Sequence, residues 1–257
     1  MRVFLVSSGA KGDRVPPVTG GGAQSYIWNL ACFLAEKGHR VTVVSGGGRS
    51  GMRRVRVLEF KTVRSNLFSA QVFGVSLLLN SRLFSEADVV HVHGRVSCVY
   101  LLKIKPIVYT VHSPDAVLFP RGYKASFPVY DLAVEFERAA LRKADLVIAL
   151  TPEFKDALTR RFKEARGKTV VIPNMVDTRF FTPGEKKGRK KIVLFVGRLS
   201  REKRLDLLIK AVDIVRRRLD VKLLVVGRGE QLSLVRRLVR KYGLNDRVVF
   251  TGSVPVW

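Results

Sequence analysis

The sequence predicts an α/β protein: a complete doubly wound parallel sheet followed by the first part of another. Three observations carry that expectation. Short apolar runs such as Val3–Val6 and Ile192–Val196 do not alternate with polar residues, as is usual for strands buried on both faces of a parallel sheet. These runs close on glycine, proline or a polar turn. Between them lie longer segments with apolar residues at helical spacing.

Residues 2–8 (RVFLVSS) form a first strand and lead into a long loop, GAKGDRVPPVTGGG. Within 23–37, Ile27, Leu30, Ala31, Leu34 and Ala35 make a helical stripe that Gly38 stops. Strands follow at 41–45 and, more weakly, at 55–60, separated by the turn-rich stretch 46–51. A helix covers about 67–83. Residues 88–94 (DVVHVHG) and 107–111 are short strands, and the second closes on His112-Ser113-Pro114. Residues 130–143 are helical, with Leu132, Phe136, Ala139 and Ala140 on one side. A strand at 145–150 precedes Thr151-Pro152, a favoured helix start, and 170–172 is the last strand of this half. From Asn174 to Lys190 the chain turns polar, with Pro183, Gly184, Gly188 and clustered lysines, and the strand–helix order then restarts. The predicted domains are therefore 1–186 and 187–257. The second reads strand 192–196, helix 203–218, strand 221–226, helix 230–242 and strand 247–251, about half of a doubly wound domain.

Hydrophobic content of 47% beside 26% charged residues is that of a globular chain rather than a disordered one. The longest apolar run, 67–84, is broken by Ser69, Gln71, Ser76, Asn80, Ser81 and Arg82, so it reads as a buried helix and not a membrane span. Cys32 and Cys98 are too few for a disulfide framework and read as reduced core thiols. Met1-Arg2 leads straight into a strand with no cleavage pattern, so a cytoplasmic protein is expected.

The net charge of +26 is the outstanding bulk property, and residues 187–257 hold 19 Lys and Arg against 6 Asp and Glu. Nucleic acid, an anionic membrane or a phosphorylated substrate would each answer that charge. A heat-adapted surface accounts for it too, since glutamine occurs only at 24, 71 and 231. No basic block is interleaved with aromatics as single-strand binders require, which disfavours nucleic acid.

Ligands of open α/β sheets sit beyond the carboxyl ends of the strands. Gly197 ends the strand at 192–196, Arg198 stands just past it, and Ser200 is placed to cap a helix beginning near Lys203. A phosphate there would find Arg198, Lys203 and a helix amino terminus. Gly227 and Gly229 end the next strand in the same way. Gly20-Gly21-Gly22 lets backbone approach a ligand at the first helix start, although the spacing is not the dinucleotide fingerprint. His91 and His93 share one face of their strand by the period of two; without a cysteine or carboxylate at ligand spacing, a metal site is not expected, and His93 with Gly94 reads as pocket lining. His112 closes its strand where a site would lie. Glu135 and Glu137 read as ion-pair residues on different faces of one helix.

Seven stretches, in this order, span nearly the whole chain: GGAQSYIWNLACFLAEKGHRVTVVS, DVVHVHG, YTVHS, ERAALRKADLVIALTP, IPNMVDTRFFTP, FVGRLSREKRLDLLIKAV and LLVVGRGE with LNDRVVFTGSVP. Together they resemble the retaining glycosyltransferases of family 4, which have the GT-B architecture of two Rossmann-like domains. The resemblance implies transfer of a sugar from a nucleotide-diphosphate sugar, as co-substrate, to a lipid or glycan acceptor, with no metal or other cofactor required. It implies that the first domain takes the acceptor and the second most of the donor. It implies catalytic roles for His112, Arg198 and Lys203, with Gly21, Gly22, Gly197, Arg198, Lys203, Gly227 and Gly229 binding the donor. His112 would lie beside the donor sugar, and Arg198 and Lys203 would meet the leaving diphosphate. Three departures stand out. Arg204 and Met175 replace glycines common in the family, and the E-x7-E segment that would hold the ribose and sugar is missing. The chain is therefore expected to turn over poorly alone, or to be completed by a second chain. The basic surface would hold it on the inner face of an anionic membrane. A non-catalytic subunit binding an acceptor or partner is the alternative, and a nucleotide-sugar epimerase of similar architecture fits the seven stretches less well.

Overall fold

The computed structural model describes residues 1–7, 15, 22–47, 53–60, 69–94, 106–112, 129–184 and 191–254. Gly20, Gly21, Cys98 and the lysine-rich part of the linker lie outside the described residues. The chain forms two compact units, Met1–Phe181 and Thr182–Trp257.

In the first unit the order is β1 (Arg2–Val6), α1 (Gly22–Glu36), β2 (Arg40–Ser45), β3 (Val55–Glu59), α2 (Ser69–Leu79), a 3-10 turn (Ser81–Glu86), β4 (Val89–Val92), β5 (Ile107–Thr110), α3 (Val129–Lys143), β6 (Leu146–Ala149), α4 (Pro152–Arg161) and β7 (Thr169–Val171). The seven strands form one sheet in the order β3-β2-β1-β4-β5-β6-β7, and every pairing is parallel. The order reverses between β1 and β4, the switch point at which open α/β sheets place their ligands.

β1 pairs on both sides, Val3 with Val41 and with Val89. Its side chains enter two cores. Val3 and Leu5 pack with Val41, Val43 and the Ile27, Ala31 and Ala35 stripe of α1. Phe4 and Val6 pack on the opposite face with Phe73 and Leu77 of α2 and with Phe84. A strand covered on both faces has no polar side to show, hence the unbroken apolar run. Gly38, at φ +90°, ends α1, with His39 N–H reaching the Leu34 carbonyl at 3.1 Å. Thr151 caps α4: its Oγ1 accepts from Phe154 N–H at 3.1 Å, with Pro152 in the first turn.

The second unit has β8 (Lys191–Val196), a 3-10 turn (Arg201–Lys203), α5 (Leu205–Val215), β9 (Val221–Val226), α6 (Leu232–Lys241) and β10 (Val248–Gly252), with parallel strands in the order β10-β9-β8. Leu223 and Val225 pack with Leu205, Ile209 and Val212 of α5 and Val235 and Val239 of α6. Both helices lie on that one face.

Three expectations are corrected here. β8 is not buried on both faces: Ile192, Leu194 and Val196 are 60, 59 and 69% exposed, because both described helices of this unit pack on the other face and no described element covers this one. Lys203 does not begin a helix. Arg204 adopts the left-handed conformation, φ 50° and ψ 40°, so the chain makes a 3-10 turn there and α5 starts at Leu205. Ser200 therefore does not cap a helix, and its buried hydroxyl has no hydrogen-bond partner among the described residues.

Candidate functional site

In the first unit, the carboxyl ends of β4 and β5 bring three histidines together. β4 and β5 pair in register, His91 with Val108 and Val92 with Tyr109, so His93 lies one place past the pairing and His112 two places diagonally beyond it, close enough for their rings to meet. His93 Nδ1 lies 3.0 Å from His112 Nε2. The His91 ring packs 4.1 Å from that of His93, centroid to centroid, and His91 Nε2 lies 2.7 Å from Thr110 Oγ1. Tyr26 of α1 sets its ring edge-on to His93 and His112, at 5.6 and 5.0 Å, and its hydroxyl hydrogen-bonds Thr110.

Burial keeps all three imidazoles neutral. Loss of water pushes His112 down to about 4 and, with the neighbouring imidazole adding to it, His91 down to about 3. His93 is driven well below the ordinary range, first by burial and then by the two neighbouring rings. Burial likewise raises the Tyr26 hydroxyl. A neutral cluster of this kind can offer and accept hydrogen bonds without presenting charge.

His112 is half-buried at the edge of the group. His93, only 3% exposed, sits behind it rather than lining a pocket, and its Nε2 is buried with no partner among the described residues. Tyr26 and Thr110 are members that the sequence did not announce. Tyr26 is hidden within an ordinary helical stripe and Thr110 within an ordinary strand. Gly22 opens α1, and a Cβ there would meet nothing within 4 Å, so packing does not demand a glycine at that position. Of the two glutamates, Glu135 pairs with Arg138 at the surface. Glu137 is buried and accepts a hydrogen bond from the Tyr109 hydroxyl at 2.8 Å. Asp177 binds the backbone N–H and guanidinium of Arg179, which reaches on to Glu36 at the end of α1.

In the second unit, the turns after β8 and β9 stack backbone on backbone. Gly197 N–H donates to Val226 O at 3.0 Å, and Leu199 N–H to Arg228 O at 2.9 Å. A Cβ on Gly227 would stand 1.9 Å from the Gly197 carbonyl oxygen, and one on Gly229 2.4 Å from that of Leu199. Both glycines are thus required by this close approach, whatever else they meet. Arg198, Lys203 and Arg228 are exposed at the same edge. Among the described residues neither Arg198 nor Lys203 has an ion-pair partner, whereas Arg204 is held by Asp206 through two contacts of 3.1 Å.

A concavity lies on the first unit, toward the amino ends of β1, β2 and β3. It encloses about 820 Å³ and is lined by Arg2, Arg40, Arg54, Arg56 and Arg82. Arg2 pairs with Glu86 and Asp88; the other four have no ion-pair partner among the described residues. Exposed Leu79 and Leu83 also line it. No helix among the described residues is long and apolar enough to cross a membrane.

Comparison with known proteins agrees with this architecture. The chain is 26% identical over 250 residues to one of the subunits of the phosphatidylinositol N-acetylglucosaminyltransferase of Arabidopsis thaliana, covering 91% of this chain and 55% of that one. It spans between about half and two thirds of the length of such relatives. Sucrose-phosphate synthase from Thermosynechococcus elongatus superposes with a TM-score of 0.76 at 21% identity, covering 99% of this chain and 71% of that one. Anabaena HepE in complex with UDP-glucose gives 0.72 at 19% identity, over 99% and 69%. These neighbours share the GT-B fold. The family model for Glycosyltransferase Family 4 matches residues 20–180, and that for Glycosyl transferases group 1 matches 176–257. The chain belongs to glycosyltransferase family 4.

Proposed function

We propose that the chain carries the acceptor-side unit and part of the donor-side unit of a transferase that moves a sugar, with retention, from a nucleotide-diphosphate sugar to a lipid or glycan. The observation that carries the reading is the exposure of Arg198 and Lys203 at the carboxyl edge of a parallel sheet, with no carboxylate partner among the described residues. In the proposed reaction the bond from the anomeric carbon to the diphosphate oxygen breaks. The acceptor oxygen bonds to that carbon, and its proton leaves with the diphosphate. Arg198 and Lys203 stabilise the negative charge as it develops, so the step as written calls for no metal ion. His112, held neutral, hydrogen-bonds a sugar oxygen without opposing the positive charge that grows on the ring.

The arginine-lined concavity with its leucines suits an anionic amphiphilic surface, which supports peripheral attachment to a membrane. The name of the Arabidopsis relative points the same way. UDP and GDP sugars are the donors to try. The deciding measurement is release of sugar or its transfer to lipid vesicles, with Arg198→Ala lowering the rate at least about a hundredfold. An unchanged rate in the variant sinks the reading.

The uncovered face of the second sheet favours a second reading. Ile192, Leu194, Val196 and Val249 form an apolar surface that further polypeptide would bury. On this reading the chain is a non-catalytic subunit that binds an acceptor or partner and is completed by another chain. Lipid or glycan binding with no turnover, with or without that partner, would select it.

A further inference from the structure

We infer that His93 is a positioning residue that fixes the tautomer of His112, so that His112 presents an N–H at Nδ1, and not a lone pair, to the group it meets. The inference rests on the reading above only for what that group is.

His93 Nδ1 and His112 Nε2 are 3.0 Å apart, so one of the two nitrogens carries the proton between them and the other accepts it. Both rings are neutral, so each carries a single proton and the choice at one ring dictates the other. His93 Nε2 breaks the tie. It is buried and has no hydrogen-bond partner among the described residues, and a buried N–H left without an acceptor is rarer than a buried acceptor left without a donor. The lower-energy arrangement leaves that nitrogen as a bare lone pair. The proton of His93 then sits on Nδ1 and is donated to His112 Nε2. His112 must accept there, which leaves its own proton on Nδ1.

The surroundings hold His93 in this orientation. The His91 ring packs against it at 4.1 Å and Tyr26 meets it edge-on at 5.6 Å. His91 is itself pinned by Thr110 at 2.7 Å. The recognition chemistry follows directly. An uncharged N–H donor selects an oxygen lone pair, such as a hydroxyl or ring oxygen of a hexose, and does not repel a sugar ring that is becoming cationic.

The test is a long-range proton–nitrogen NMR spectrum of the 15N-labelled full chain near neutral pH. The expected result is protonated Nδ1 and bare Nε2 on both His93 and His112. A His112 protonated at Nε2 in the unaltered chain overturns the inference, and no variant has to fold for that outcome to count. In His93→Leu, His112 should move toward the Nε2–H form that free imidazole favours in water. His93→Asn keeps an amide donor near the Nδ1 position and should hold His112 as in the parent.

The same spectrum, titrated with UDP-glucose and then GDP-mannose, reads the functional half. His93→Leu should weaken donor binding about tenfold, and His93→Asn less. Equal affinity in the parent and in a Leu variant with altered tautomer overturns the positioning role. A parent chain with the expected tautomer that binds neither sugar nucleotide upholds the tautomer assignment and counts against the transferase reading instead.

Discussion

β1 and β8 are nearly the same strand in sequence, RVFLV and KIVLFV, and they meet opposite fates. β1 runs through the middle of a seven-stranded sheet with apolar residues packed on both faces. β8 is the edge of a three-stranded sheet whose two helices share one face, leaving Ile192, Leu194 and Val196 exposed. The difference teaches that an unbroken apolar run reports what a strand is suited to, while cover has to be supplied by other elements. The two cation-bearing turns after β8 and β9 are firmly built even so, because they rest on each other rather than on the open face.

The largest expected effect tests that last point. Gly227→Ala drives a methyl into the Gly197 carbonyl at a backbone angle of φ +140° that L residues rarely adopt. It should cost the second unit more than about 3 kcal/mol and abolish its cooperative unfolding while the first unit still unfolds normally. A second unit that melts unchanged would mean the turns are not stacked as described.

Next comes the contrast itself. Leu5→Ala opens a cavity in a fully buried position and should cost about 3–5 kcal/mol in denaturant unfolding. Leu194→Ala, at a site 59% exposed, should cost less than about 1 kcal/mol. If Leu194→Ala proves as damaging as Leu5→Ala, the open face is covered in solution, by a second copy or by another chain.

Acid sharpens the comparison from the other side, because the buried histidine cluster belongs to the first unit only. The folded values lie below the ordinary 6.5, at about 4 for His112 and about 3 for His91. As pH falls below 6.5 the unfolded chain takes up protons that the folded cluster refuses, so stability is lost between pH 6.5 and 4. Each imidazole contributes a slope of up to about 1.4 kcal/mol per pH unit. The first unit should therefore weaken in this window, and His91→Gln should reduce its slope by one such increment. A flat profile would mean that the three rings titrate as they would in water.

Much of this was legible in the sequence where the signal is local. The Thr151 cap, the Gly38 stop and the strand-end position of His112 each depend on residues within a few places of one another. The His93–His112 bond was not, because it exists only once β4 and β5 have chosen their register. The open face of β8 was hidden for the reason already given. The break at Arg204 was half legible: a glycine common in the family at that position marks a turn, while arginine itself does not announce a left-handed backbone.

That break supplies the smallest expected effect. Gly38 turns at φ +90°, where glycine removes the steric penalty; Arg204 at φ 50° bears that penalty, as Arg54 of the first unit does at φ 72°. A left-handed non-glycine residue costs about 1–2 kcal/mol. Against this stand the Arg204 contacts to Asp206, a mostly exposed pair worth about 0–1 kcal/mol, which also holds the Asp206 carboxyl below its usual range. Arg204→Gly removes both contributions and also frees the unfolded chain, which favours unfolding by a few tenths of a kcal/mol up to about 1. The second unit should then change in stability by less than about 1 kcal/mol, while any loss of sugar-nucleotide binding would mark Arg204 as a third cation at the edge that Arg198 and Lys203 occupy. Unchanged binding with unchanged stability would show that glycine and arginine are interchangeable at this turn, and that the charge used for binding is concentrated in Arg198 and Lys203.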